Sequence, residues 1–201
     1  GTWSVISGGG TITFINNPTS TITGLLPGIH ILQWTIASGV CAPSISTTTI
    51  QVDANPTAAN AGPSQTICIT TGTTTMAANT PTIGTGIWSV LIGGGSVNNF
   101  FLPTTGVTGL AVGNHVLQWT ISNGVCSSSS STVAVQVDDV PTVSNAGASQ
   151  TICVSTGSTT LAANTPTVGV GTWSIVSGSG VVTSINNPSS TITGLTVGTT
   201  V

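Results

Sequence analysis

Nine residues in this 201-residue chain carry side chains that could do chemistry: Cys41, Cys68, Cys126 and Cys153, His30 and His115, and Asp53, Asp138 and Asp139. Paired, the thiols would form disulfides. A histidine could ligate a metal or act as a general base. An aspartate could help hold calcium or orient a histidine in a Ser–His–Asp triad. Spacing argues against all but the disulfides. His30 and His115 stand 85 positions apart, each without a second His, Glu or Cys at ligand spacing. Calcium takes roughly six to eight oxygens, usually with several carboxylates, and each aspartate site offers one or two. The runs Gly8-Gly9-Gly10 and Gly93-Gly94-Gly95 precede no helix, and the chain has no Lys to complete a phosphate loop. We therefore expect no catalytic, cofactor-binding or metal-binding residue. The histidines read as strand-start residues in the place of an aromatic, and the aspartates as caps on turn amides.

The elements that position these residues repeat. Trp3, Trp88 and Trp173 are spaced by 85, as are Trp34 and Trp119, Cys41 and Cys126, and Cys68 and Cys153. GTWSVISGGG returns as GIWSVLIGGG and GTWSIVSGSG, and ILQWTIASGVC returns as VLQWTISNGVC. Solenoid rungs run about 20 to 50 residues, so this period fits one small domain, repeated in tandem.

Composition narrows the function classes. The chain has no Lys or Arg, only three acids and 1% charged residues, against about 25% in ordinary soluble proteins. Nucleic-acid binding needs cations to neutralise phosphates and is excluded; attraction to anionic membrane surfaces fails for the same reason. No stretch approaches the roughly 18 unbroken apolar residues of a membrane span. Disorder is excluded because 38% of the residues are hydrophobic and net charge is low. Thr, Ser, Asn and Gly keep the surface polar without charge. Trypsin-like proteases find no site, which suits an extracellular setting. Two cysteines per period fit an oxidising compartment. Gly1 opens inside a repeat, so the chain is expected to be a piece of a longer array.

Strand signals are dense. ILQWTI (31–36) and VLQWTI (116–121) alternate with period two, as do TTTIQV (47–52) and TVAVQV (132–137). Gly-rich runs, Ser38-Gly39 and Asn123-Gly124 mark hairpins. In the middle copy the segments 64–69, 73–78, 86–91, 97–101, 106–110, 115–122 and 131–138 predict seven strands. The expected fold is all-β, a tandem of Ig/PKD-like antiparallel β-sandwiches. Residues 1–53 form a partial domain lacking its first strands, 54–138 a complete one, and 139–201 a partial one lacking its last strands. Trp3, Trp34, Trp88, Trp119 and Trp173 are expected in the core. Pairing of Cys68 with Cys126 inside the complete domain is favoured, leaving Cys41 and Cys153 to pair outside the chain. A Cys41–Cys68 bond across the junction and free thiols are the alternatives.

The words AG-x-SQTIC, TTxxAANTPT, G-x-W-S, TITGL, G-x-H-x-LQWT and NGVC follow one another in fixed order. In this they resemble the PKD-like and Ig-like tandem repeats of large Bacteroidetes cell-surface adhesins, including the gliding-motility type. Ala61-Gly62-Pro63-Ser64-Gln65-Thr66 matches that family's AGPDQT opening with Ser64 in place of Asp. Gly113-Asn114-His115-Val116-Leu117-Gln118-Trp119 matches its penultimate strand with His115 where an aromatic is common. The resemblance implies an extracellular β-sandwich array, exported to the cell surface.

The expected function is therefore structural: a segment of an extracellular fibre, stalk or adhesin, and not an enzyme. Its expected partners are neighbouring repeats and laterally associated copies, with a surface or glycan target left open. The rival reading is a secreted carbohydrate-binding module, which would need exposed aromatics.

Overall fold

The computed structural model describes residues 1–201. By backbone contacts the chain divides into two compact units, Gly1–Thr66 with Thr73–Gln136, and Ile67–Gly72 with Val137–Val201. No helix is present, and so none is long and apolar enough to cross a membrane. The fold is all-β, built from antiparallel sandwich elements in tandem.

The first copy holds β1 (Thr2–Ser7), β2 (Thr11–Ile12), β3 (Ile22–Thr23), β4 (Gly28–Ile36) and β5 (Ser44–Val52). β1, β4 and β5 form one sheet in that order, and β2 pairs with β3. Trp3 faces Trp34 across the β1–β4 ladder, with ring centroids 5.0 Å apart.

The middle copy holds seven strands: β6 (Gln65–Cys68), β7 (Thr73–Thr75), β8 (Thr85–Ile92), β9 (Ser96–Val97), β10 (Gly106–Thr108), β11 (Gly113–Ser122) and β12 (Ser129–Asp138). Each falls on a segment that the alternation and turn pattern predicts. Two sheets result, β6-β12-β11-β8 and β7-β10-β9. Period-two alternation puts Leu117, Trp119 and Ile121 of β11 and Val133, Val135 and Val137 of β12 on one buried face. Val97 and Val107 of the smaller sheet, with Met76 and Leu110, supply the opposing buried side chains.

β6 runs parallel to β12. Ala59 N donates to Ser129 Oγ, Ala61 N to Ser131 Oγ and Ile69 N to Asp138 O, so the partner numbers rise together.

In the third copy only β13 (Ser158–Thr160), β14 (Val181–Val182) and β15 (Thr191–Thr193) form, as one sheet ordered β13-β15-β14. This is the register counterpart of β7-β10-β9. Thr172-Trp173-Ser174 has no strand conformation, although Thr2-Trp3-Ser4 lies in β1. The ladder partner of such a segment is the LQW strand, which residues 139–201 do not contain.

Candidate functional site: the junction between copies

β5 ends at Val52, and Asp53 follows it into the Pro-containing connector. Its carboxylate Oδ2 accepts a hydrogen bond from Val125 N at 3.0 Å, in the turn between β11 and β12. Asn123 Nδ2 donates to Ala54 O at 2.8 Å, and Cys126 Sγ lies 3.4 Å from Asp53 O. The turn closes on itself through Cys126 N to Asn123 O at 3.1 Å. Gly124 makes the close approach possible: it sits at φ +50°, and a Cβ there would fall on the Asp53 carboxylate. Asp53 thus caps turn amides, and the turn it caps belongs to the next copy. Replacing Asp53 by Ala removes the acceptor of Val125 N. We expect its amide to exchange with solvent on the order of tenfold faster. An exchange rate at Val125 that stays the same would show that the carboxylate does not hold the turn.

The expected Cys68–Cys126 disulfide is not formed; all four thiols are free. The parallel course of β6 explains why. Cys68 sits beside the last residue of β12, because Ile69 N donates to Asp138 O at 2.9 Å. Cys126 sits three positions ahead of the first, Ser129. The ten residues of β12 span about 30 Å at roughly 3.3 Å each, whereas bonded cysteines keep Cα atoms within about 7 Å. Cys41 occupies the matching place ahead of β5. The Thr70 hydroxyl and backbone amide beside Cys68 hold its thiol below the ordinary value, and Ser155 does the same for Cys153.

His115 is 3% exposed and fully engaged. Its Nε2–H donates to Ala111 O at 2.8 Å, and Nδ1 accepts from Gly94 N at 3.1 Å. His30 keeps the Nε2 contact, 2.7 Å from Leu26 O, while its Nδ1 lies 3.3 Å from Gly9 O. Each imidazole ties the start of its strand to the preceding Gly-rich hairpin, and no carboxylate adjoins it. Asp139 caps locally, its Oδ1 accepting from Val140 N at 2.8 Å. No group of three His, Cys, Asp or Glu side chains comes together.

Trp88 and Trp119 are 1% and 0% exposed. Trp3, Trp34 and Trp173, expected in the core, are only half-buried, because their copies lack part of the covering sheets. All three G-x-W-S tryptophans keep one local contact, an indole N–H donated to the carbonyl 14 residues on: Asn17, Leu102 and Asn187. Two clefts in the third copy follow the same logic. They are lined by Ala146, Leu161, Trp173, Ile192 and Leu195, the register mates of Ala61, Met76, Trp88, Val107 and Leu110, which are all buried. These clefts are core positions without their cover.

No family model matches the chain, and no curated protein matches it. Solved structures do. The chain is similar to a PKD domain solved in solution, at 26% identity over 46% of this chain and 92% of that one, with a TM-score of 0.37. It is similar to an I-band fragment of titin at 14% identity, over 98% of this chain and 78% of that one, with a TM-score of 0.48. It is also similar to the ectodomain of human desmocollin-1 at 13% identity, over 98% and 46%, with a TM-score of 0.33.

Proposed function

We infer that this chain is a load-bearing segment of an extracellular fibre, stalk or surface adhesin, with residues 54–138 as the repeating domain. The observation that carries the reading is the parallel course of β6 beside β12. These are the first and last strands of the middle copy. Tension applied along the array pulls the start of one against the end of the other. Parallel neighbours loaded this way are sheared, so several inter-strand bonds must fail together; strands peeled from one end would lose them singly. The Asp53 cap supports the same role by tying one copy to the hairpin of the next. A short Pro-containing connector adds stiffness. The array's partners are then neighbouring repeats and laterally associated copies, at the outer surface of a cell.

Single-molecule stretching tests this. Pulled from both ends, the chain should show one abrupt unfolding of the middle copy at a higher force than when handles sit on Gly113 and Asp138, at the open end of the β11–β12 hairpin, where β12 would unzip from β11. Equal forces for the two geometries, or smooth extension without a peak, would contradict a mechanical role.

A further inference from the structure

The turn between β11 and β12 holds the chain's one Asn-Gly dipeptide, Asn123-Gly124. The side-chain amide carbon of an asparagine stands one bond short of a five-membered ring with the next backbone nitrogen. A glycine at that next position puts no side chain in the way. Here the junction holds every part of that ring in place. Asn123 is half-buried, and its Nδ2, the leaving group of any such closure, donates to Ala54 O at 2.8 Å. The Asp53 carboxylate packs against Gly124 and accepts Val125 N at 3.0 Å. Cys126 N donates to Asn123 O at 3.1 Å, which fixes the far side of the turn. Residues of the connector, Asp53 and Ala54, thus supply the two contacts that restrain the dipeptide from outside its own hairpin.

We propose that Asn123 is a deamidation site latched by the junction: it is protected while Asp53 and Ala54 hold the turn, and it converts to aspartate or isoaspartate when they let go. Ring closure needs the Gly124 nitrogen to meet the amide carbon at about 3–3.5 Å along the line of attack. It also needs Nδ2 free to leave. A side chain tied to Ala54 O, in a turn whose Val125 amide is tied to Asp53, has neither freedom. Opening of the junction supplies both, so the modification rate follows the population of the open state.

The reaction balances with water alone. The Gly124 backbone nitrogen gives up its proton and bonds to Cγ of Asn123. The Cγ–Nδ2 bond breaks, and the amide nitrogen departs as ammonia with that proton. Water then opens the cyclic imide at either carbonyl. Cleavage at Cγ leaves an aspartate in an ordinary backbone. Cleavage at the backbone carbonyl leaves isoaspartate, whose chain runs through Cγ. One water is consumed and one ammonia released, with no change in oxidation state.

The product does not fit the closed junction. An ionised carboxylate has only acceptors to offer Ala54 O, itself an acceptor. It also adds a second negative charge to the turn that already holds the Asp53 carboxylate, and like charges at close range repel. Isoaspartate further lengthens the turn backbone by one methylene. A junction that stays open long enough to react therefore does not close again, and the site makes opening a one-way event. The matching turn of the first copy is Ser38-Gly39, which has no amide and cannot react this way.

The inference stands on the contacts of this junction and not on the load-bearing reading. To test it, the full chain is incubated in mildly alkaline buffer and cut with pepsin, since it holds no Lys or Arg for trypsin. The peptide carrying Asn123 is then followed by mass spectrometry, with isoaspartate scored by enzymatic methylation. The chain unfolded in urea should deamidate there about a hundredfold faster than the folded chain. Asp53→Ala should speed the folded chain on the order of tenfold, the same factor expected for Val125 amide exchange. Asp53→Asn keeps a side-chain oxygen for Val125 N and should stay near the parent. Asn123→Asp, the finished product, should itself raise Val125 exchange on the order of tenfold. A folded chain that deamidates as fast as the unfolded one, or Asp53→Ala reacting at the parent's rate, would overturn the latch. Unchanged Val125 exchange in Asn123→Asp would overturn the one-way step. Each of these failures leaves the stretching comparison of the preceding subsection untouched.

Discussion

Replacing Trp119 by Ala should cost the middle copy about 3–5 kcal/mol, the range for emptying a large buried aromatic site. Single domains hold only about 5–15 kcal/mol, so the variant is expected near or beyond its unfolding threshold at 37 °C. Trp119 is completely buried and stands 5.2 Å from Trp88, ring to ring, at a 46° tilt. Denaturant unfolding followed by circular dichroism would read the loss. The two tryptophans should differ under a gentler change. Trp88 Nε1 donates to Leu102 O at 3.2 Å and Pro103 O at 3.3 Å, whereas Trp119 Nε1 is buried without a partner. Trp119→Phe removes an unsatisfied donor, while Trp88→Phe takes away the indole donor of Leu102 O, so the first should be milder by about 1–2 kcal/mol. The reverse order would mean that ring packing alone decides the site.

Gly86→Ala should be nearly as damaging, and the chain supplies its own control. A Cβ on Gly86 would fall on the indole of Trp119, and one on Gly1 would fall on that of Trp34. At Gly171, the third member of the series, no atom lies within 4 Å. The LQW tryptophan that would meet it lies outside residues 139–201. Overpacking a dense core costs about 1–3 kcal/mol, and Trp119 has no free space to retreat into. Gly171→Ala should stay within about 0.5 kcal/mol of the parent. Equal effects at the two positions would deny that the glycine exists to seat the tryptophan.

These pairs show what was legible in the sequence. The seven strands of the middle copy were readable because period-two alternation and Gly or Asn-Gly turns are local signals. The indole-to-carbonyl contact 14 residues on is also local, and it survives in all three copies. Strand formation is not local. Thr2-Trp3-Ser4 and Thr172-Trp173-Ser174 are identical in sequence, yet only the first is a strand, because only the first has a ladder partner. The same limit misled the cysteine pairing. Sharing one period with Cys126 made Cys68 its natural partner, but the parallel direction of β6 against β12 carries Cys68 to the far end of that strand. Nothing in the spacing encodes that direction. The Asp53 contact was half legible: capping of a turn amide was foreseeable, but its reach into the following copy was not.

The central claim is that the repeats act as a load-bearing series, and electron micrographs of the native material test it most directly. The account predicts long filaments beaded at about one domain length, on the order of 35–40 Å given a ten-residue β12 at roughly 3.3 Å per residue plus its turns. Compact, monodisperse particles with no such repeat would contradict it.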